Sequence, residues 1–201
     1  MSINVCNDRS MASITSLPSG VTGSSLVLIS TVALSSAAAD ISFTSGIDST
    51  YKEYIFKIFD INIASDTEKF GFNGTTDGTN FNVTKTSSFF RARLKENDSS
   101  ALLAYYGDDD VAQGTGLQPL QSEMGSDNDQ CLAGTLRLFN PSSTVFVKHF
   151  IADMSDYRQN DYNAREMTAG YCNVTAAIDG VQFAMSSGNI DAGDICLYGI
   201  N

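Results

Sequence analysis

The chain has 201 residues, of which 42% are hydrophobic and 17% are charged, and its net charge at pH 7 is −11. This length fits one domain, or one domain with an arm, and the hydrophobic content excludes a disordered chain. An acidic surface repels phosphate groups, so we expect no nucleic-acid partner.

The first residues differ in composition from the rest of the chain. Residues 1–24 are polar and rich in serine, with Pro18 and two glycines, which is typical of an extended arm. The apolar run 26–34 has no basic segment before it, so we expect no signal peptide. The charge-free run 10–39 is too rich in serine and threonine to span a membrane, and we expect no membrane association. We predict an extended N-terminal arm at 1–24 and a single domain at 25–201.

Short segments rich in β-branched and aromatic residues follow the arm and predict strands. The strongest is 51–63, where the apolar phase shifts by one residue after Ile58, as it does at a β-bulge or in a strand buried on both sides. The segments 70–73 and 80–86 flank a Gly- and Asp-containing turn at 74–78 and predict a hairpin. The strands predicted in this half are 25–34, 40–44, 51–63, 70–73, 80–86, 88–94 and 101–106.

The strand after this hairpin alternates between apolar and charged residues, which predicts the direction of its side chains. Phe90, Ala92 and Leu94 occupy every second position and are expected to point into the core. Arg91 and Arg93 occupy the positions between them and are expected to point outward. This part of the chain is therefore predicted to place one apolar face inside and one basic face in solvent.

The second half contains two long polar stretches between further strands. Residues 107–129 form the longest predicted loop, and a loop of this length is often functional or interfacial. Residues 153–165 form a second polar excursion. In 132–139, Leu132, Leu136 and Leu138 are expected to point inward. The strands predicted in this half are 132–139, 144–151, 168–174, 178–185 and 195–200.

The last two predicted strands are joined by polar turns and indicate a closing hairpin. About ten short strands, separated by turn signals and without a helical period, are typical of an all-β protein. We predict an antiparallel, jelly-roll-like β-sandwich. The side chains expected in its core or in a subunit contact are Val181, Phe183, Met185, Leu197 and Tyr198.

The residues that could carry chemistry form no recognised catalytic motif. His149, the only histidine, lies between apolar neighbours in a strand, and we interpret it as packed or interfacial. The acidic residues 108–110, Asp127 and Asp129 lack EF-hand spacing and indicate a solvated loop rather than a Ca²⁺ site. We therefore predict no catalytic residue, no cofactor and no metal, and no enzymatic activity. Widely spaced cysteines are expected to be packed thiols, with one bridged pair left open: Cys6, Cys131, Cys172 and Cys196.

A region rich in tyrosine, asparagine and aspartate has two possible interpretations. Its composition suits an adaptable polar interface or contacts with sugars. The interpretation that we favour is an ordinary exposed loop. The residues concerned are Tyr157, Arg158, Asn160, Tyr162, Asn163 and Tyr171.

Several stretches resemble small structural proteins of marine tailed bacteriophages. The matching segments are 41–51, 138–151 and 178–200, in the expected order, and the early segment 14–18 also fits. The most distinctive part is the sequence SSGNIDAG, followed shortly by LYGI, within the last segment. The resemblance implies a β-sandwich module of a virion, located on a capsid, a fibre or another appendage, and carries no catalytic residue.

This resemblance leads to two hypotheses about function. The first is a capsid decoration (cement) protein on the virion exterior, assembled in the host bacterial cytoplasm. It would stabilise the capsid through contacts with the major capsid protein or other virion subunits, as a homo-oligomer that we expect to be a trimer. The alternative is a receptor-binding head domain of a tail fibre or virion appendage that contacts host surface glycans.

Overall fold

The computed structural model describes residues 26–200, which form thirteen β-strands. The predicted arm at 1–24 lies outside these residues. The first seven strands are β1 (Leu26–Ala33), β2 (Asp40–Phe43), β3 (Glu53–Ile63), β4 (Phe70–Thr75), β5 (Lys85–Lys95), β6 (Ala101–Tyr105) and β7 (Ala112–Gly114). The others are β8 (Gln118–Gln121), β9 (Leu132–Phe139), β10 (Lys148–Arg158), β11 (Tyr162–Cys172), β12 (Gly180–Met185) and β13 (Ile190–Ile200).

The strands form two antiparallel sheets. One sheet has nine strands in the order β1-β13-β3-β9-β10-β11-β5-β6, and β7 also pairs with β5. The other has four strands in the order β2-β12-β4-β8. Side chains from both sheets share one buried core, so the prediction of an all-β antiparallel sandwich is confirmed. Within residues 26–200, no helix is long and apolar enough to cross a membrane.

Aromatic rings join the two sheets at the centre of the sandwich. Phe183 of β12 lies 5.2 Å from Phe56 of β3, measured between ring centroids, and β3 belongs to the other sheet. Phe43 and Phe70, from strands on either side of β12, contact the same ring at 6.3 and 5.8 Å. Phe183 therefore connects three neighbouring strands of one sheet to the facing sheet.

The side chains predicted for the core at the end of the chain are largely confirmed. Val181, Phe183, Met185 and Leu197 are buried. Tyr198 is only partly buried, because it lies on the opposite face of β13 from Leu197, where the amino group of Lys57 approaches its ring. The alternation along these strands thus identified the inward face.

The two predicted hairpins, 70–73 with 80–86 and 178–185 with 195–200, are wrong, because the two strands of each do not pair with each other. β4 belongs to the four-stranded sheet and β5 to the nine-stranded sheet, so the turn between them crosses from one sheet to the other. The same holds for β12 and β13 at the end of the chain. Turn residues allow the chain to reverse, but they do not specify whether the next strand pairs with the last one.

Both predicted loops contain strands. The stretch 107–129 includes β7 and the fully buried β8, and 153–165 lies mostly within β10 and β11. β10 and β11 form a hairpin of two eleven-residue strands, and its turn places Asn160 and Asp161 at φ of 65° and 60°. The predicted strands 144–151 and 168–174 overlap β10 and β11, but the parts of both strands nearest the turn were predicted as a loop because polar residues occupy many of their buried positions.

The predicted bulge in β3 is confirmed. The register between β3 and β9 shifts between Ile58 and Ile61, and Asp60 has φ of 51° within this interval. The extra residue lets Ile58, Ile61 and Ile63 all reach the core, although they do not follow a single period of two.

Candidate functional site

The nine-stranded sheet extends past the edge of the smaller sheet. β8, the edge strand of the four-stranded sheet, packs against β10 and β11. β5, β6 and β7 lie farther out along the larger sheet. We call β5, β6, β7, β10 and β11 the extension. Its inner face is turned towards β8, and its outer face is turned away from the sandwich core.

The inner face of the extension holds a group of buried charged residues, which we call the charge cluster. Its centre is Arg91 of β5, which lies opposite Glu166 of β11 and donates to its carboxylate at 2.5 Å. Both side chains are almost completely buried, with exposed fractions of 1% and 0%. The prediction that Arg91 points outward is therefore wrong. The cluster consists of Arg91, Asp109, Asp156, Arg158 and Glu166.

The charge cluster fixes the segment around β8 to the extension. Asp109 contacts Arg91 at 3.4 Å and Lys69 at 2.6 Å. The backbone N–H of Ser122 donates to Glu166 at 2.9 Å. Because these contacts join residues far apart in the chain, the cluster determines how the extension is held against the smaller sheet.

A second buried polar group lies at the other end of the same face. Lys85 and Lys148 flank Cys172 in register on three neighbouring strands. Lys85 donates to the side-chain oxygen of Asn73 at 2.6 Å, and burial lowers the pKa of Lys85 to about 8. Lys148 donates to the carbonyl of Val174 at 3.0 Å. These bonds hold the neighbouring connections in place and lie away from solvent.

Asp156 is the least satisfied member of the charge cluster. One of its oxygens accepts from Gln121 at 2.8 Å, and the other has no hydrogen-bond partner. Burial raises the pKa of Asp156 to about 6, although Gln121, Arg158 and Arg91 favour the ionised form. The folded protein therefore holds a proton on this carboxyl more tightly than the unfolded chain does.

This raised pKa leads to a test of stability against pH. Because the pKa is higher in the folded state, Asp156 stabilises the fold below about pH 4, and this contribution is lost as the pH rises through about 6. A difference of about two pH units corresponds to roughly 3 kcal/mol. From pH 4 to pH 7, Asp156→Asn should therefore gain stability relative to the natural protein by up to about 3 kcal/mol. Urea unfolding at each pH measures this difference, and a constant difference would contradict the expectation.

The outer face of the extension carries several exposed apolar side chains beside the exposed ion pair of Arg165 and Asp153. Leu103 and Tyr105 of β6 are 71% and 51% exposed. The ring of Phe90 meets that of Tyr105 edge to face at 5.2 Å. Phe90 and Leu94, predicted to point into the core, instead lie on this face. We define the apolar outer face by Phe90, Leu94, Leu103, Tyr105 and Ile151.

The reversed direction of β5 has a physical cause. Phe89 and Phe90 are adjacent, so an alternating pattern can begin on either ring. The structure buries Phe89 together with Arg91, because acidic partners from other strands compensate the buried guanidinium. The apolar set of the other phase is left facing solvent.

The predicted interfacial residues are distributed over both faces of the β10–β11 hairpin. His149 is exposed on the outer face, where its ring lies 6.2 Å from that of Tyr171. It is therefore not packed in the core, and its interfacial role stays a prediction. Arg158 is buried in the charge cluster. Tyr162 is partly exposed, with the guanidinium of Arg93 at 4.8 Å from its ring centre. These residues do not form a single loop.

The acidic residues predicted to lie in a solvated loop are also divided. Asp109 is buried, which corrects that prediction, whereas Asp108, Asp127 and Asp129 are exposed. In the part of the chain from 26 to 200, no three His, Cys, Asp or Glu side chains come together as a metal site would require. Thiols that form no disulfide are carried by Cys131, Cys172 and Cys196. Cys6 lies outside the described residues.

Comparisons of the chain with known protein families, with curated proteins and with solved structures give no match.

The charge cluster and the apolar outer face are the two features that the sequence did not indicate. The first combines residues distant in the chain. The second could have been found by considering both phases of the alternation in β5.

Proposed function

We propose that the protein is a structural component of a tailed-phage virion and acts as a capsid decoration (cement) protein. The observation that carries this proposal is the apolar outer face of the extension. Exposed apolar side chains on neighbouring strands of a protein with a net charge of −11 suit a surface that is covered in an assembly. The sequence resemblance to phage structural proteins is the reason for proposing that this assembly is a virion.

We also propose that the sandwich is a jelly roll with the extension inserted into it. Without the extension, eight strands remain, and β1 pairs with β13, β2 with β12, β3 with β9 and β4 with β8. When these eight strands are counted in chain order, the first pairs with the eighth, the second with the seventh, the third with the sixth and the fourth with the fifth. This order supports a jelly roll, an architecture found in viral capsid proteins.

The proposed mechanism is mechanical. The extension offers a broad apolar surface, and its charge cluster holds that surface rigidly on the sandwich. On the virion exterior, such a surface would cover part of the major capsid protein or another virion subunit. A stable contact of this kind buries at least about 1,000 Å² in total. Neighbouring copies would then connect capsid subunits and resist their separation.

A second candidate is the receptor-binding head of a tail fibre or appendage. The tip of the β10–β11 hairpin favours it, because Tyr157 and Tyr162 are both partly exposed there. Arg93 and Lys95 hold their charges against the ring of Tyr162. Aromatic rings with polar neighbours suit contacts with host surface glycans.

Location on the virion distinguishes the two candidates. With antibodies against the folded protein, immunogold labelling of intact virions should mark the whole capsid surface and leave the tail unmarked. Labelling confined to the tail would contradict the decoration role. In that case, binding of the purified protein to a glycan array would support the receptor role, and an array without binders would contradict it.

A further inference from the structure

Within residues 26–200, the edge strands other than β6 carry features that hinder pairing with another chain. β7, which lies beside β6 on the same side of β5, is only three residues long and has a register shift. β1 has a register shift between Leu28 and Ser30, β2 is only four residues long and includes Asp40, and β8 contains Pro119. Bulges, charges and prolines on edge strands prevent unwanted pairing. β6 has none of these features: its sequence ALLAY carries no charge or proline, and its ladder with β5 has no register shift.

The backbone of β6 presents hydrogen-bonding groups to solvent. At its two ends, the N–H of Tyr106 donates to the carbonyl of Phe89, and the carbonyl of Ser100 accepts from Lys95. Backbone direction alternates along an antiparallel strand, so the even-numbered residues turn towards β5. The odd-numbered residues turn their N–H and C=O groups away from the sheet. These are Ala101, Leu103 and Tyr105.

We propose that β6 pairs with β6 of a second copy of this chain, antiparallel, about a two-fold axis at Leu103. In this register, Leu103 lies opposite its own counterpart, and Ala101 lies opposite Tyr105. Every outward backbone group of the strand then finds a partner, because each facing pair exchanges two hydrogen bonds. The inference deepens the proposed assembly role, on which it rests, by naming a contact between copies.

Charge favours a second copy over a basic partner. Two chains that each carry −11 repel one another over most of their surfaces, whereas β6 is uncharged from end to end. A cationic partner would instead bind where unpaired carboxylates are concentrated. β6 therefore brings two acidic copies together along an uncharged strand, and the like charges of Asp98 and Asp108 beside its two ends make the pairing sensitive to salt.

The size of the contact indicates a weak dimer. Leu102, Leu103 and Tyr105 are 41%, 71% and 51% exposed, which amounts to roughly 300 Å² of side-chain surface. A standard interface buries about 800 Å² on each partner. We therefore expect pairing that is slight in dilute solution. It would become extensive where copies are held close together, as on a capsid surface.

Sedimentation velocity of the full chain over a concentration series up to about 1 mM tests the inference. We expect a monomer–dimer equilibrium that shifts towards dimer at higher salt, because salt screens the repulsion between copies. Leu103→Pro removes one outward N–H and no bond to β5, and proline is tolerated on edge strands. We expect it to weaken dimerisation at least tenfold. Leu103→Lys, which opposes two like charges at the axis, should have the same effect.

The matched control is Leu94→Lys, which places the same charge on the apolar outer face one strand away from the edge. It should leave the dimer intact. Loss of the dimer in both Leu94→Lys and Leu103→Lys, with dimerisation retained in Leu103→Pro, would overturn edge pairing in favour of contact between the outer faces, because both leucines lie on that face. A trimer, or a monomer at every concentration, would also overturn it. Labelling of the capsid with a monomer in solution would refute only this inference, and a dimer with labelling of the tail would refute only the decoration role.

Discussion

Glu166→Ala is expected to destabilise the protein by roughly 3–5 kcal/mol, the loss that typically follows removal of one partner from a buried ion pair. Glu166 accepts from Arg91 at 2.5 Å and from the backbone of Ser122 at 2.9 Å, and Arg158 lies 3.7 Å away. Alanine would leave the buried backbone N–H of Ser122 and the buried guanidinium of Arg91 without the acceptor that Glu166 provides. Urea unfolding at pH 7, monitored by far-UV circular dichroism, measures the change.

A second arginine–carboxylate pair in the same sheet provides the control. Arg165 donates to Asp153 at 2.6 and 2.9 Å, but this pair lies on the outer face with both side chains substantially exposed. Exposed pairs contribute about 0–1 kcal/mol, so Asp153→Ala should have little effect. Equal losses in the two variants would contradict a structural role for the charge cluster. A large loss restricted to Glu166 would show that burial, rather than pairing alone, makes the carboxylate necessary.

The charge cluster also marks the limit of what the sequence could predict. Where apolar residues alternate and no buried charge intervenes, the pattern is sufficient. The predicted strand 132–139 has the same bounds as β9, and Leu132, Leu136 and Leu138 point inward as expected. In β5 the period was right and the phase was wrong, because Arg91 is stabilised inside by Asp109 and Glu166. Spatial partners of this kind cannot be identified from spacing along the chain.

The parts of β10 and β11 that were predicted as a polar loop, 153–165, have the same explanation. In β10 and β11, buried positions are occupied by Asp156, Arg158 and Glu166. Side chains alternate between the two faces of the sheet as usual, but the inward positions are not the hydrophobic ones. Sequence analysis relies on the rule that charged residues face water. Because charged residues occupy inward positions of the extension, the apolar residues at the alternate positions lie on its outer face. The buried cluster and the exposed apolar face are thus two consequences of one exchange of faces.

The sandwich itself should depend most on Phe183. We expect Phe183→Ala to destabilise the fold by roughly 3–5 kcal/mol, the usual cost of removing a fully buried phenylalanine. The ring contacts Phe43 and Phe70 within its own sheet and Phe56 in the facing sheet, so alanine would open a cavity between the sheets. Tight packing prevents the surrounding rings from closing this cavity completely. Chemical denaturation at pH 7 gives the free energy of unfolding.

Phe59 offers a matched control, because it is a phenylalanine on β3 with 43% of its surface exposed. Phe59→Ala removes the same atoms but leaves no enclosed cavity, so we expect a loss of less than about 1.5 kcal/mol. Similar losses at both positions would contradict a single core shared by the two sheets. Phe183→Leu should lie between the two alanine variants, because leucine retains part of the volume while losing the edge-to-face contact with Phe56. The ranking therefore separates the cavity contribution from the general effect of losing an aromatic ring.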